Sequence, residues 1–241
     1  MTLQEIYDES KRIVFFGGAG VSTESGIKDF RSEDGLYHMQ YKYPPEEILS
    51  HSFFNWQPEE FFRFYRNRIL VSHNGPNAAH KALAVMEAKG KLSAVVTQNI
   101  DGLHQAAGSR RVLELHGSVL RNFCQRCGRF YGPEAIKSPD ANGGPDGIPK
   151  CSCGGRIKPD VVLYEESLDQ NVLEEANREI SEADTLIVGG TSLVVYPAAG
   201  LLQYFRGKYL VLINKDATPA DRNADLVIHD SIGKVLGGLK L

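Results

Sequence analysis

Residues 11–31 read KRIVFFGGAGVSTESGIKDFR, and this stretch decides the fold. The apolar run Ile13–Phe16 leads into Gly17-Gly18-Ala19-Gly20, a pattern typical of a buried strand that turns sharply beside a phosphate. A dinucleotide fingerprint of the form G-x-G-x-x-G would have glycine at position 23, where this chain has Thr23. The stretch then continues into Asp29-Phe30-Arg31, for which phosphate binding alone gives no role. Taken alone, the glycine turn fits either a nucleotide site or an ordinary connection between a strand and a helix.

The composition is that of a soluble globular protein: 241 residues, 42% hydrophobic and 24% charged. The net charge of −3, from 27 basic and 30 acidic residues, argues against a general nucleic-acid binder. No apolar run has the length of a membrane span, and the segment MTLQEIYDESKR is too charged for the core of a signal peptide. We therefore expect a cytoplasmic location, no membrane association and no direct nucleic-acid binding.

Short apolar segments alternate with helical patterns along most of the chain. The segments predicted to be buried parallel strands are Ile13–Phe16, Ala94–Thr97, Thr185–Val188, Tyr209–Ile213 and Leu226–Ile228. Helices are predicted at Asn77–Lys89, Leu168–Glu182 and Ala198–Phe205. This alternation predicts a doubly wound α/β sheet. Two segments interrupt it and are interpreted as insertions: residues 32–75, with one predicted helix at Pro58–Leu70, and residues 121–158, which contain all four cysteines.

Three of the predicted strands run directly into polar residues. These are Gln98-Asn99-Ile100-Asp101, Gly190-Thr191-Ser192 and Asn214-Lys215-Asp216. In a doubly wound sheet, ligands bind beyond the carboxyl ends of the strands, so these clusters are expected to converge with the glycine turn on one crevice. Each cluster by itself could also be an ordinary turn.

The cysteines form two close pairs, Cys124-x-x-Cys127 and Cys151-x-Cys153. Thiolates at this spacing can hold one tetrahedral zinc ion, and four sulfur ligands leave no open position for water. The pattern therefore predicts a structural zinc site rather than a catalytic one. Free thiols or a redox pair are the alternatives.

His116 lies in Leu113-Glu114-Leu115-His116-Gly117, next to a strand end. A lone histidine in such a place can be a hydrogen-bonded structural residue. Beside a nucleotide crevice it could instead act as a general base near neutral pH.

Together these segments resemble the sirtuins, the NAD-dependent protein-lysine deacylases, and most closely the compact bacterial members. The matching motifs run in order along the chain: GAGVSTESGIKDFR, QNID at 98–101, HG at 116–117, the cysteine pairs, KPDVVLYEE at 158–166, GTSLVVYPAA at 190–199 and IN at 213–214. The resemblance implies a Rossmann-like NAD-binding domain made of residues 1–31, 76–120 and 159–241. It also implies a smaller domain made of a helical insertion, residues 32–75, and a zinc ribbon, residues 121–158.

The resemblance also implies a role for individual residues in binding the co-substrate NAD. Carried over by motif, the cofactor-binding residues are Ala19, Gly20, Thr23, Phe30, Arg31, Gln98, Asn99, Ile100, Asp101, Thr191, Ser192, Asn214 and Ile232. Of these, Asn99 and Asp101 would hold the nicotinamide end. Together with His116 they would be the catalytic residues. Cys124, Cys127, Cys151 and Cys153 would hold one structural zinc ion per chain.

The implied reaction joins the acyl group to the ribose of NAD. The acyl oxygen attacks the ribose as nicotinamide leaves, and His116 then deprotonates a ribose hydroxyl. The products would be free lysine, nicotinamide and O-acyl-ADP-ribose. An acyl-lysine protein or peptide would enter as an extended strand between two segments, 161–164 and 193–195, with contacts from Val161, Leu163, Tyr164, Leu193 and Val194.

Two local features bear on the choice of substrate. Glu165 stands where the family usually has glycine, which predicts a preference for basic residues beside the target lysine. Tyr65 and Arg68 are three apart on the predicted helix Pro58–Leu70, and sirtuins that remove acidic acyl groups carry a Tyr-x-x-Arg at a similar place. Alternatively, Tyr65 belongs to the core and Arg68 is a solvated charge.

Two other functions compete with deacylation. A mono-ADP-ribosyltransferase would use the same NAD cleavage with a protein nucleophile. A non-catalytic NAD-sensing module would bind the nucleotide and dock a partner through the zinc ribbon.

Overall fold

The computed structural model describes residues 1–28, 41–70, 73–138 and 147–241. The described residues form nine strands, numbered along the chain: β1 (Ile13–Gly17), β2 (Leu92–Thr97), β3 (Val112–Glu114), β4 (Gly117–Cys124), β5 (Phe130–Tyr131), β6 (Ile157–Val161), β7 (Thr185–Gly189), β8 (Tyr209–Ile213) and β9 (Leu226–Ile228). All five strands predicted from the sequence are present, and β2 begins two residues earlier than expected. The strand β3, just before His116, was not among them.

Six of these strands form one parallel sheet in the order β3-β2-β1-β7-β8-β9. Numbered among themselves, they follow the order 3-2-1-4-5-6 that characterises dinucleotide-binding sheets. The doubly wound fold predicted from the sequence is therefore confirmed. The strand order reverses between β1 and β7, which places a ligand crevice at their carboxyl ends.

Both faces of this sheet are covered, which explains why β1 is apolar at every position. Ile13 and Phe15 belong to the core on one face, and Val14 and Phe16 belong to the core on the other. Side chains alternate between faces along a strand, so a strand buried on both sides has no polar position.

The helices in the described residues are, along the chain, α1 (Leu3–Glu9), α2 (Pro45–Ile48), α3 (His51–Trp56), α4 (Pro58–Phe64), α5 (Ala78–Ala88), α6 (Leu103–Ala106), α7 (Glu134–Lys137), α8 (Gln170–Glu182) and α9 (Ile232–Gly237). Helices α1, α5 and α9 cover one face of the parallel sheet. Helix α8 and a 3-10 helix, Ala198–Tyr204, cover the other. None of the described helices is long and apolar enough to cross a membrane.

Two predictions about the 32–75 segment need correction. Its described part contains three helices, α2, α3 and α4, where one was predicted. The predicted helix Pro58–Leu70 ends as an α-helix at Phe64 and continues as a π-helical turn, Tyr65–Ile69, in which the Leu70 N–H bonds to the Tyr65 carbonyl at 3.0 Å. Hydrogen bonds from the N–H of residue i+5 to the carbonyl of residue i are rare, and they are concentrated at functional sites.

A second sheet of three antiparallel strands, β5-β4-β6, carries the cysteines at one end. Its inner residues share a core with aromatic side chains of α3, α4 and the π-helical turn, including Phe54, Phe61 and Tyr65. This core also takes in Leu163, which lies beyond the predicted end of the small domain. The division into domains at residues 31, 75, 120 and 158 stays a prediction.

Candidate active site

The glycine turn lies where the strand order reverses. The Gly18 N–H bonds to the Gly189 carbonyl at 3.3 Å, and the Gly20 N–H bonds to the Gly190 carbonyl at 2.8 Å. A Cβ atom on Gly20 would lie 2.7 Å from the Gly190 Cα, and one on Gly190, whose φ is +61°, would lie 2.3 Å from the Val21 nitrogen. Glycine is therefore required on both sides so that the turns after β1 and β7 can touch.

Ser22 joins this turn to the polar residues that follow β2. Its hydroxyl donates to Asp101 Oδ2 at 2.7 Å and accepts from Asn99 Nδ2 at 3.1 Å. The side chain is 1% exposed, so these bonds form away from bulk water. Ser22 is not among the residues predicted from the sequence to form the site. In the sequence Ser22 is a small polar residue two positions after the glycine turn, and its burial depends on the fold.

Asp101 is held by two donors at once. In addition to Ser22, its Oδ1 accepts the Leu103 N–H at 2.9 Å at the start of α6. The carboxylate therefore has a fixed orientation in the half-buried floor of the crevice. It can present negative charge to a ligand without reorganising.

His116 has a defined tautomer. Its Nδ1 lies 2.8 Å from the Gln98 carbonyl oxygen, which can only accept, so Nδ1 carries the proton and Nε2 is left with a lone pair. Burial lowers the pKa of His116, and the Gln98 hydrogen bond only partly opposes this effect. The imidazole is consequently neutral at pH 7 and can accept a proton at Nε2.

The glycine after His116 is explained by close packing of two strands. Gly117 has a φ of +75°, and a Cβ atom there would lie 1.9 Å from the Asp160 carbonyl oxygen. The Val162 N–H bonds to the His116 carbonyl at 3.0 Å just beyond this crossing. The His-Gly pair therefore fixes the histidine between the two sheets.

Three predicted residues line the far half of the crevice. Gln98 Nε2 donates to Thr191 Oγ1 at 3.2 Å, and the Thr191 N–H donates to Asn214 Oδ1 at 2.9 Å. Asn214 Nδ2 is buried and has no hydrogen-bond partner among the described residues. An unpaired buried donor at the carboxyl end of β8 fits a site for a polar ligand such as the ribose of a nucleotide.

The remaining cofactor predictions vary in their surroundings. Ala19, Gly20 and Thr23 are half-buried in the turn, where Thr23 Oγ1 donates to the Gly20 carbonyl at 3.0 Å. Ile100 is also half-buried, and Ser192 is exposed. Ile232 is 4% exposed and packs at Gly189, so it lies largely beneath the crevice. Phe30 and Arg31 lie outside the described residues.

One of the two segments predicted to bind peptide is already engaged within the chain. The N–H groups of Val162, Leu163 and Tyr164 bond to the His116 carbonyl, Glu166 Oε2 and the Leu49 carbonyl. In this segment Leu163 is buried and Tyr164 is exposed, and Val161 pairs with Gly117 at the end of β6. On the opposite side Val194 is exposed, and Leu193 has the left-handed φ of 57°.

Tyr65 and Arg68 occupy different environments on the π-helical turn. Tyr65 is 1% exposed and stacks on Phe61, with ring centroids 5.6 Å apart. Its hydroxyl has no partner among the described residues, and burial raises its pKa. Arg68 is half-buried, and no described carboxylate pairs with it. An orphaned hydroxyl and an unpaired guanidinium three residues apart are compatible with a polar ligand between them.

The four cysteines come together at the ends of the small sheet. Their sulfur atoms all lie within 4.8 Å of one another, with Cys124–Cys153 at 3.5 Å and Cys127–Cys151 at 3.7 Å. Four thiolates about 2.3 Å from one tetrahedral zinc ion would be about 3.8 Å apart, which agrees with this spacing. The Tyr131 hydroxyl also donates to Cys151 Sγ at 3.0 Å. The donor set therefore fits the structural zinc site predicted from the sequence.

A sequence model of the Sir2 family matches residues 18–197 of this chain, which is most of its length. The chain belongs to the Sir2 family. The resemblance to sirtuins seen in the motifs is thereby confirmed.

The similarity extends over nearly the whole chain. An NAD-dependent protein deacetylase from Clostridium perfringens (strain 13 / Type A) is 62% identical over 239 residues, covering 98% of this chain and 96% of the relative. A crystal structure of a Sir2 homologue in complex with NAD superimposes with a TM-score of 0.86 at 39% identity, covering 98% of this chain and 90% of the other. A structure of Sir2 bound to acetylated peptide gives a TM-score of 0.85 at 38% identity, with coverage of 98% and 96%.

Proposed function

We propose that this Sir2-family protein is an NAD-dependent protein-lysine deacylase that releases nicotinamide and O-acyl-ADP-ribose. One observation carries the proposal. A neutral His116, with its free Nε2, and the Ser22–Asn99–Asp101 network lie together at the reversal point of a dinucleotide-binding sheet. The deacetylase similarity over almost the full chain supports the same activity.

The residues of the crevice divide into three roles under this proposal. Ala19, Gly20 and Thr23 would lie along the phosphates, Gln98, Thr191, Ser192 and Asn214 along the ribose and adenosine, and Asn99, Ile100 and Asp101 at the nicotinamide. Bound NAD would supply the ribose carbon that accepts the acyl oxygen. The Nε2 atom of His116 would accept a proton from a ribose hydroxyl, and the Asp101 carboxylate would lie close to the nicotinamide end.

The acyl-lysine substrate would bind as an extended segment beside His116. The N–H groups of residues 162–164 are already bonded within the chain, and so are the Leu193 N–H and the Val195 carbonyl. We therefore expect the peptide to pair with the remaining main-chain groups of the two segments, such as those of Val194. Recognition through the main chain gives loose sequence specificity. A cytoplasmic location and the lack of direct nucleic-acid binding stay predictions from the sequence.

Glu165 is proposed to tune the residues around the target lysine. It has a φ of 74°, a left-handed conformation that favours glycine, and its Oε2 accepts the Ser52 N–H at 2.9 Å. That bond holds the exposed carboxylate beside Tyr164 and lowers its pKa. Peptides with basic flanks should therefore be used faster than matched peptides with acidic flanks, and equal rates would argue against this role.

The identity of the acyl group depends on the residues of the π-helical turn. Arg68 has no carboxylate partner and the Tyr65 hydroxyl no hydrogen-bond partner within the described part of the chain, which favours activity on acidic acyl groups, such as succinyl, in addition to acetyl. Arg68→Met should then reduce desuccinylation by about tenfold or more while leaving deacetylation within about twofold. Arg63→Met is the matched control, because Arg63 is an exposed arginine on α4 that pairs with Glu60. Equal loss on both acyl groups would place Arg68 in the framework instead.

Release of nicotinamide, measured with and without an acetyl-lysine peptide, tests the activity itself. A deacylase requires the peptide for release. An ADP-ribosyltransferase releases nicotinamide with an unacylated acceptor protein, and a sensor releases none. Peptide-independent release or no release would contradict the proposed function.

A further inference from the structure

The first turn of α5 lies behind both loops of the proposed cofactor site. Asn77, the residue before the helix, has every polar atom of its side chain engaged. Its Oδ1 accepts the N–H groups of Ala79 at 2.9 Å and His80 at 3.5 Å, which caps the helix. Its Nδ2 donates to the Val21 carbonyl at 2.7 Å and to Ser25 Oγ at 3.0 Å. One side chain therefore fixes the helix and the glycine turn relative to each other.

The same turn of α5 also backs the loop that carries Asn99 and Asp101. The Asn77 N–H donates to His80 Nδ1 at 3.3 Å, and the His80 ring lies 4.7 Å from the His104 ring, measured between centroids. His104 is fully buried on α6, where it also packs against Phe15 of β1. Helix α6 begins at Leu103, two residues after Asp101, and the Leu103 N–H donates to Asp101 Oδ1 at 2.9 Å. Displacement of His80 would therefore move the loop that holds Asp101.

We propose that Asn77 is a positioning residue for NAD, with His80 and His104 as the packed link to the second loop. This inference rests on the proposed function. The bonds from Asn77 Nδ2 set the position of Val21 and Ser25, on either side of Ser22, and Ser22 in turn sets Asn99 and Asp101. The nearest ligand-facing residues, Ala19, Gly20 and Thr23, lie on the same short segment.

The helix cap and the two amide donors can be separated by substitution. Asn77→Asp keeps an oxygen that can accept the N–H groups of Ala79 and His80, and Asp is as good a cap as Asn. The Asp side chain has no N–H to donate, and its second oxygen would face the Val21 carbonyl oxygen. The substitution therefore removes the fixation of the turn and leaves the cap in place.

Asp169→Ala provides the converse control. The Asp169 carboxylate caps α8 by accepting the N–H groups of Asn171 at 2.8 Å and Val172 at 3.2 Å. It makes no described contact with either cofactor loop. This variant loses a cap of the same kind at a helix on the other face of the sheet.

The test measures NAD affinity by calorimetry and the KM values for NAD and acetyl-lysine peptide, on protein shown to be folded by circular dichroism. For Asn77→Asp we expect the Kd and KM for NAD to rise by about tenfold, because two hydrogen bonds are lost. The KM for the peptide should stay within about twofold of the wild-type value. For Asp169→Ala both NAD constants should stay within about twofold, although the protein melts at a lower temperature.

Asn77→Asp protein that binds NAD as tightly as the wild type would overturn the inference. So would equal losses of NAD affinity in the two variants, because Asn77 would then act only through general stability. If Asn77→Asp does not fold, Asn77→Ser, which also caps the helix and lacks the two amide N–H donors, is judged by the same criteria. Wild-type protein that fails to bind NAD would contradict the proposed function instead.

Discussion

The protonation state of His116 follows from one hydrogen bond and from burial. The Gln98 carbonyl fixes the proton on Nδ1, and burial lowers the pKa, so Nε2 is available as a base even in mildly acidic solution. A base must be unprotonated, and a lowered pKa extends the unprotonated form to lower pH. The acid limb of the rate profile should therefore fall below the ordinary histidine pKa of about 6.5.

Replacement of His116 by alanine should reduce peptide-dependent turnover by about 10²- to 10⁴-fold, because general base catalysis is lost. Binding of NAD should persist. His73→Ala, which changes an exposed histidine, should leave turnover unchanged. Steady-state kinetics with acetyl-lysine peptide measures both variants. Full activity of His116→Ala would mean that another group takes the proton.

Asp101 and Ser22 should behave as one unit because they share a buried hydrogen bond. Asp101→Asn keeps the shape of the side chain but leaves only one accepting oxygen for two donors. We expect Asp101→Asn to lower turnover by about ten- to a hundredfold. Ser22→Ala should also lower turnover, but by a smaller factor. The double variant should lose less than the sum of the two free-energy losses. Strict additivity would show that the two side chains act independently.

Three residues of the crevice show what could be assigned from the sequence and what could not. Gly20 and Asp101 could be assigned because they follow apolar strands, and the ends of parallel strands converge. Ser22 could not, since its partners are 77 and 79 residues away along the chain. Their proximity depends on the order of the strands, which no local pattern encodes.

The cysteine cluster is part of the core of the small sheet. Cys124 and Cys151 are buried within the core that contains Phe54 and Tyr65, so the metal site and the aromatic core form one unit. Cys127→Ser should remove one thiolate ligand, lower the zinc content and loosen strands β4–β6. Ser152→Ala, between two cysteines, should keep one zinc per chain. Elemental analysis with hydrogen exchange measures both effects, and folded protein without zinc would contradict the assignment.

Helix boundaries show a similar contrast between local and tertiary signals. Helix α1 could have been predicted, because Thr2 and Glu5 form a capping box that the sequence alone displays. The π-helical turn at Tyr65–Ile69 could not, because five residues are too few for the wider turn of a π-helix to show in the apolar pattern. The stacking of Tyr65 on Phe61 within the aromatic core accompanies the change, and it depends on packing with β4 and β6.

The whole protein should lose stability in acid through two buried histidines. Burial lowers the pKa of His80 to about 4 and of His104 to about 3, where proximity to His80 adds to the effect. In the unfolded chain both should titrate near 6.5, so on acidification the unfolded state takes up protons first. The stabilisation is complete above pH 6.5 and declines towards pH 4, by roughly 1 kcal/mol per pH unit for each histidine.

Urea unfolding at a series of pH values between 7.5 and 4.5 measures this slope. His104→Phe retains a packed ring and removes one titrating group, so its free energy of unfolding should depend less steeply on pH over this range. His73→Phe, at an exposed position, should leave the slope unchanged. An unchanged slope in His104→Phe would show that His104 titrates normally in the folded protein.

The most direct test of the account follows the acyl group itself. Wild-type protein is incubated with NAD and a peptide whose acetyl-lysine carries an isotopic label in the acetyl group, and the products are analysed by mass spectrometry. We expect one nicotinamide to be released for each lysine side chain that loses its acetyl group, and the labelled acetyl group to be found on ADP-ribose. Labelled free acetate formed without consumption of NAD, or ADP-ribose attached to protein with the acetyl-lysine intact, would contradict it.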